Sequence, residues 1–162
     1  MIAFIKHLLC FVLVVVLQTT LASWISFSDV VPDFILIFVV VMALRHGPVE
    51  GMLWGFFAGF SVDVYAPIEW LGAQTIAFTC VGFAVGQLEE RFLNLNLATK
   101  VALLGLAFML NDLIYYAIVG IIKDNVGVLI LTNTLPGCVY TMLCSVPVFH
   151  LLYRSFGRSP NA

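Results

Sequence analysis

Charge is what this sequence has least of: 10% of 162 residues are Asp, Glu, Lys or Arg, against 62% apolar residues. A water-soluble domain of this size cannot cover its surface with so few polar side chains. Soluble enzymes and soluble binding modules are therefore excluded. The net charge of −2 carries no basic patch interleaved with aromatics, so nucleic acid is not the partner. Four cysteines (Cys10, Cys80, Cys138 and Cys144) all lie in apolar stretches without a CxxC pair, and read as small apolar residues rather than disulfides or metal ligands. HExxH, GxSxG and a glycine-rich phosphate loop with its lysine are all missing. His7, His46 and His150 fall near expected cytoplasmic helix ends and are not at metal-ligand spacing. The chain reads as a non-enzyme with no metal and no cofactor. It shows no internal repeat and no linker, and its length suits one transmembrane domain, residues 1–162.

What remains is apolar sequence in continuous runs, such as Phe11 to Leu17 and Phe34 to Leu44. Lipid requires every backbone group to be bonded within the protein, which leaves helices or a closed barrel. Barrel strands would alternate apolar and polar residues, so these runs predict an all-α integral membrane protein. A spanning helix needs about 20 apolar residues. The sequence predicts a six-helix transmembrane bundle, with helices at about 4–22, 32–45, 49–65, 71–88, 99–121 and 129–153. Pro32 opens the second helix in a first turn, where a missing N–H does no harm. The third follows a tight turn at Arg45, His46, Gly47 and Pro48.

Six passages place Lys6, Arg45, Arg91, Lys100, Arg154 and Arg158 on one side and Lys123 alone on the other. Positive loops stay in the cytoplasm, so both termini are expected there. Trp24, Tyr65 and Trp70 would then mark the outer interface, and Trp54 and Tyr153 the inner one. Glu89, Glu90 and Arg91 read as a charged cap on the fourth helix. Lys6 and His7 ahead of an apolar run that ends at Ala22 also fit a cleaved signal peptide, but the run is long for one, and a retained helix is expected. The second and third helices rise only about 20 Å and 18 Å against a core of about 30 Å. Either their ends fray into the interfaces or the pair leaves the outer leaflet partly open.

Two groups of residues stand out. Gly51, Gly55 and Gly59 recur every four residues, and Gly82 and Gly86 sit at a similar depth in the next helix. Small residues at this spacing let backbones approach closely, within the bundle or against another chain. Asp33, Asp63 and Asp112, the last beside Asn111, all fall about 18–20 Å from the cytoplasmic helix ends. Intramembrane acids mark a function or a buried pair by default, and no cation lies at the same depth. Asp33 has a structural alternative in capping its own helix. Asp63 fits the outer end of the third helix, and Asp112 fits a hydrogen-bonded residue within the bundle.

The ordered string Pro32-Asp33-Phe34-Ile35-Leu36, then Ala43-Leu44-Arg45-His46-Gly47-Pro48, Gly51, Gly55-Phe56-Phe57-Ala58-Gly59 and Asp63 resembles the rod-shape-determining membrane protein family MreD. Leu71-Gly72 and Gly82-Phe83-Ala84-Val85-Gly86 are similar to the family's continuation. These motifs cover about residues 32–88; elsewhere the likeness rests on hydropathy, length and helix order. The resemblance implies a non-enzymatic scaffold of the bacterial cell-elongation complex in the inner membrane. Its implied partners are MreC, the MreB filament, RodA and a class B penicillin-binding protein, in service of peptidoglycan synthesis and cell shape. It also implies a fold similar to the S-components of energy-coupling-factor transporters, and so a rival function as a small-molecule-binding subunit of a vitamin-type transporter. An ion channel or exchanger using the acids is a third class, which the apolar cytoplasmic halves of helices three and five disfavour. The scaffold reading predicts a groove at the short helices, lined by the glycine stripe and outer acids, that takes a spanning helix of MreC. Leucine at Gly55 and Gly59 would then block that association and leave insertion intact.

Overall fold

A computed structural model describes residues 2–24, 31–88, 97–120 and 134–155. Among these residues it holds five α-helices and one short 3-10 turn: α1 (Ile2–Trp24), α2 (Phe34–Asp63), the 3-10 turn (Ile68–Trp70), α3 (Ala73–Gly86), α4 (Leu97–Val119) and α5 (Leu135–Ser155). The protein is an all-α membrane protein. By residue count and composition alone, three stretches are long and apolar enough to cross a bilayer: Phe34–Asp63, Ile68–Gly86 and Ala98–Val119.

The first of these does not run straight. Gly47 takes φ 86° and ψ −173° ahead of Pro48, non-helical angles in the middle of α2. Proline cannot donate to the preceding turn and pushes the residue before it out of the helical region; glycine alone accepts the positive φ without strain. The chain folds back there. A Cβ built on Gly51 would lie 2.7 Å from that of Ala43, although eight residues of straight helix span about 12 Å. The rings of Phe38 and Trp54 are 5.5 Å apart, where a straight helix would separate them by about 24 Å. α2 is thus a helical hairpin with a first arm, 34–46, and a second arm, 48–63. The turn expected at Arg45 to Pro48 is where the reversal occurs.

The first arm occupies the centre of the bundle. Ile35 through Leu44 are all buried, so it is surrounded on every face. The second arm and α3 pack on it, and α1, α4 and α5 close the remainder. The second arm buries Gly51, Trp54, Gly55, Ala58 and Gly59 and turns Val49, Met52, Leu53, Phe56, Phe57 and Phe60 outward. In lipid those outward apolar residues need no cover.

Several boundaries differ from expectation. Pro32 is buried just outside the helix, and Asp33 rather than a first-turn proline caps the first arm. The third predicted helix ends at Asp63, not 65, and the fourth spans Ala73–Gly86 rather than 71–88, because irregular backbone fills 64–72. The start placed at 129 for the last helix lies outside the described residues, as do Glu89, Glu90, Arg91 and Lys123 and the side chains of Trp24, His150 and Tyr153. Trp54 was expected at the inner interface. It is instead 6% exposed, with its ring 5.8 Å from that of Phe11 as well as against Phe38.

Candidate functional site

The glycine stripe is consumed inside the bundle. A Cβ at Gly51 would strike the carbonyl of Gly82, one at Gly55 the carbonyl of Phe78, and one at Gly59 the backbone of Gln74 and Thr75. Every one of these contacts is closer than 3.0 Å, a distance real Cβ atoms do not show. Going up the second arm, the partners run down α3, so the two helices are antiparallel and touch backbone to backbone. Gly82 answers Gly51 in the same way, and Gly86 lies on Gly47 and Pro48. The expected groove lined by this stripe is therefore filled by α3. Leucine at Gly55 or Gly59 would force those two helices apart, so such a variant would disturb the bundle itself and not only a groove on its surface.

The acids form a polar layer at the opposite end of the hairpin from Gly47. Lys6 to Gln18, Arg45 to Asp33 and Lys100 to Asp112 are each twelve residues, about 18 Å along three different helices. The first arm, the second arm and α3 all begin or end near this level, which leaves backbone groups that lipid cannot satisfy. The polar side chains satisfy them.

Asp33 caps the first arm: its Oδ1 accepts from the Leu36 N–H at 2.8 Å. The Asp33 N–H donates to the Thr141 hydroxyl of α5 at 3.1 Å. Gln18 of α1 closes the same end, donating from Nε2 to the Pro32 carbonyl at 3.1 Å and accepting from the Phe34 N–H at 2.8 Å. Asp63, 2% exposed, caps a different helix from its own. Its two oxygens accept from the Gln74 N–H at 3.2 Å and the Thr75 N–H at 2.8 Å in the first turn of α3, and the Thr75 hydroxyl donates to it as well. Gln74 reaches on to Asn111, Nε2 to Oδ1 at 3.4 Å. Asp112, next along α4, accepts from the Thr134 hydroxyl at 2.7 Å, immediately before α5 begins.

Asp33 and Asp63 accept from first-turn N–H groups of the first arm and of α3, while Asp112 accepts the Thr134 hydroxyl just before α5. Unpaired N–H groups and the positive end of the helix dipole converge at such a terminus, and a carboxylate answers both. This is how three acids reside at membrane depth bonded to neutral donors. The arrangement holds helix ends in place; it brings no nucleophile against a base. Among the described residues no three His, Cys, Asp or Glu side chains converge as metal ligands.

The spacing of the glycines and acids was visible in the sequence, whereas Gln18, Gln74, Thr75, Thr134 and Thr141 were not singled out. Gln18 and Gln74 carried a usable signal, since a lone amide in an apolar run seeks an interhelical partner. The threonines carried less, because a helical threonine can also satisfy itself on the preceding turn, as Thr79 does on the Thr75 carbonyl at 2.6 Å. At the end of the bundle opposite the polar layer, Arg45, Gly47 and Pro48 form the hairpin turn. There His46 Nδ1 lies 3.8 Å from Glu50, and the His46 ring meets that of His7 edge-on at 4.8 Å. His7 is thus packed on the turn rather than simply solvated. A small cleft of about 110 Å³ opens between α3 and the far end of α4, lined by Glu69, Trp70, Gly72, Ile76 and Ile118 among others. Ligand pockets are several times larger.

Comparison with known families matches residues 1–156 to the model described as rod shape-determining protein MreD. No curated protein and no solved structure matches the chain, so the expected likeness to transporter S-components gains no support.

Proposed function

The chain belongs to the MreD family of rod shape-determining proteins, and from that premise we propose that it is a non-enzymatic membrane scaffold that docks MreC. Membership assigns it a role in rod shape determination and a place among the proteins of the rod-shape complex. The finer reading is that MreC binds through its single spanning helix, with MreB, RodA and a class B penicillin-binding protein in the same assembly. Together they organise peptidoglycan synthesis. The protein would cross the inner membrane six times, the hairpin arms counting as two passages, with both termini in the cytoplasm.

The observation that carries this reading is the commitment of the acids. A carrier or exchanger needs polar groups free to exchange partners, whereas Asp33, Asp63 and Asp112 are each engaged at a helix start. A body braced in this way suits a dock. Because the glycine stripe is covered by α3, the docking surface must lie on outward-facing helices and use their larger side chains, without hydrophobic drive but with dispersion and shape fit.

The test is a pull-down of tagged protein from detergent-solubilised membranes, with photo-crosslinking residues placed on outward positions of α1, α3, α4, α5 and the second arm of α2. Crosslinks to MreC confined to one face, with wall synthases in the eluate, are the expected result. Recovery of a transporter ATPase module, or of a stoichiometric small molecule without MreC, would overturn the scaffold reading.

A further inference from the structure

One flank of the bundle has a lipid-facing belt much shorter than the other. On the second arm of α2 the outward residues run from Val49 to Phe60. That belt is bounded at the cytoplasmic rim by the half-exposed Glu50 and at the far end by Val64, where regular helix has stopped. Fourteen residues separate Glu50 from Val64, about 21 Å. α3 sets the same length independently: from exposed Gln87 to its first residue, Ala73, is again about 21 Å. Between the two helices the chain makes turns around the short 3-10 turn Ile68–Trp70 and is well exposed, with Tyr65 at 77% and Ile68 at 89%.

The opposite flank differs. α4 continues as unbroken helix from Lys100 to Val119, about 28 Å, and turns Leu106, Met109, Leu110, Leu113 and Ile118 outward. Val64 and Leu113 stand at one height. Each follows a carboxylate of the polar layer, Asp63 or Asp112, and the link from Asp63 through Gln74 to Asn111 holds the two levels together.

The hydrocarbon core of a typical bilayer is about 30 Å thick. The N–H groups of Val64, Tyr65, Ala66, Trp70 and Leu71 bond to carbonyls nearby in the chain, but the exposed carboxylate of Glu69 belongs in water and not in hydrocarbon. Tilting a short helix lowers its reach further, so tilt does not resolve the mismatch. What remains is the lipid: a span shorter than the core thins the bilayer around it. We propose that this protein thins the bilayer locally on the flank made by the second arm of α2 and α3, drawing the outer interface down by about 9 Å to the level of Val64 and Gly72. The bilayer beside α4 keeps its ordinary depth. The surface that does this is apolar helix capped abruptly by a polar layer, and its partner is the acyl-chain region of the outer leaflet. This inference depends on the protein spanning a bilayer and not on which protein it docks.

The experiment places a spin label, carried on an unnatural amino acid so that the native cysteines stay, at Val64, Ile68, Leu113 or Ala117. Each variant is reconstituted in dioleoyl phosphatidylcholine vesicles, and its helix content is checked by circular dichroism. Collision rates with oxygen, which concentrates in hydrocarbon, and with a neutral nickel chelate, which stays in water, report depth. Positions 64 and 68 should read water-like, with nickel collisions dominant, while 113 and 117 read as hydrocarbon. In shorter-chain phosphatidylcholine the difference between 64 and 113 should shrink. Oxygen-dominated collisions at 64 and 68 equal to those at 113 would overturn the proposal. Water-like readings at all four positions would also overturn it, because the whole bundle would then sit shallow and no local thinning would exist.

Discussion

The two arms of the α2 hairpin are both predominantly apolar helix and lie in opposite environments. The first arm is buried on every face from Ile35 to Leu44, whereas the second hides only its glycine, alanine and tryptophan side and gives its phenylalanines to lipid. In water such a difference would be written in the sequence, since an exposed face must be polar. In lipid it is not, because leucine or phenylalanine is as acceptable outside as inside. What distinguishes the arms is size: the second arm places glycine wherever α3 crosses it, and the first keeps bulky side chains that fill the centre.

That contrast can be broken most sharply at the glycines. Gly55→Leu has no free volume and pushes on the Phe78 backbone rather than on a side-chain end. It should destabilise the bundle by at least about 3 kcal/mol, at or beyond the usual range for overpacking, and the purified protein should lose its monodisperse peak on gel filtration. Phe56→Leu, one residue along on the outward face, should leave that peak unchanged.

The next largest effect compares one phenylalanine from each arm. Phe38→Ala, at 1% exposure, opens a cavity in the middle of the bundle, while Phe57, at 54%, is only lipid contact. The cavity should cost about 3 kcal/mol and the surface change less than about 0.5 kcal/mol, read from denaturant titration of helicity in mixed micelles. Equal losses would mean that the first arm is not the core.

The caps sharpen the comparison further. Asp63→Ala leaves two first-turn N–H groups of α3 and the Thr75 hydroxyl unpaired, and should cost about 2 kcal/mol. Asp33→Ala removes one N–H contact from an arm that Gln18 and Thr141 still hold, for about 1 kcal/mol. Hydrogen exchange should show the loss at α3 for the first variant and at the start of the first arm for the second. The hinge belongs in the same comparison: Gly47→Ala, at φ 86° and ψ −173°, a conformation essentially reserved to glycine, should lower stability by about 2 kcal/mol without changing the spacing of the arms. That spacing is measurable as the distance between spin labels at positions 45 and 49.

Three acids at matching distances along their helices were legible in the chain, and so was the capping role of Asp33, since it stands directly at the start of its own helix. Asp63 as a cap of α3 and Asp112 as the acceptor of Thr134 were not legible. Their partners lie eleven or more positions away in the chain, and no local spacing says which helix start will arrive beside them. Trp54 misled for a related reason: a tryptophan near a charged rim usually belongs to the interface, and only the fold-back at Gly47 brings Phe38 against it.

By itself the sequence determined that the chain is helical and lives in a membrane, because lipid leaves an apolar, uncharged backbone no other way to bond itself. It also determined where the hairpin turns, since glycine followed by proline cannot continue a helix, and which residues approach closely, since glycine spacing is written in the chain. The tertiary structure decided which arm became the centre, that the glycine stripe serves α3, and which helix start each acid answers. Inside and outside are chemically alike to a side chain in lipid, so the choice between them rests on shape and on distant backbone groups in need of a partner.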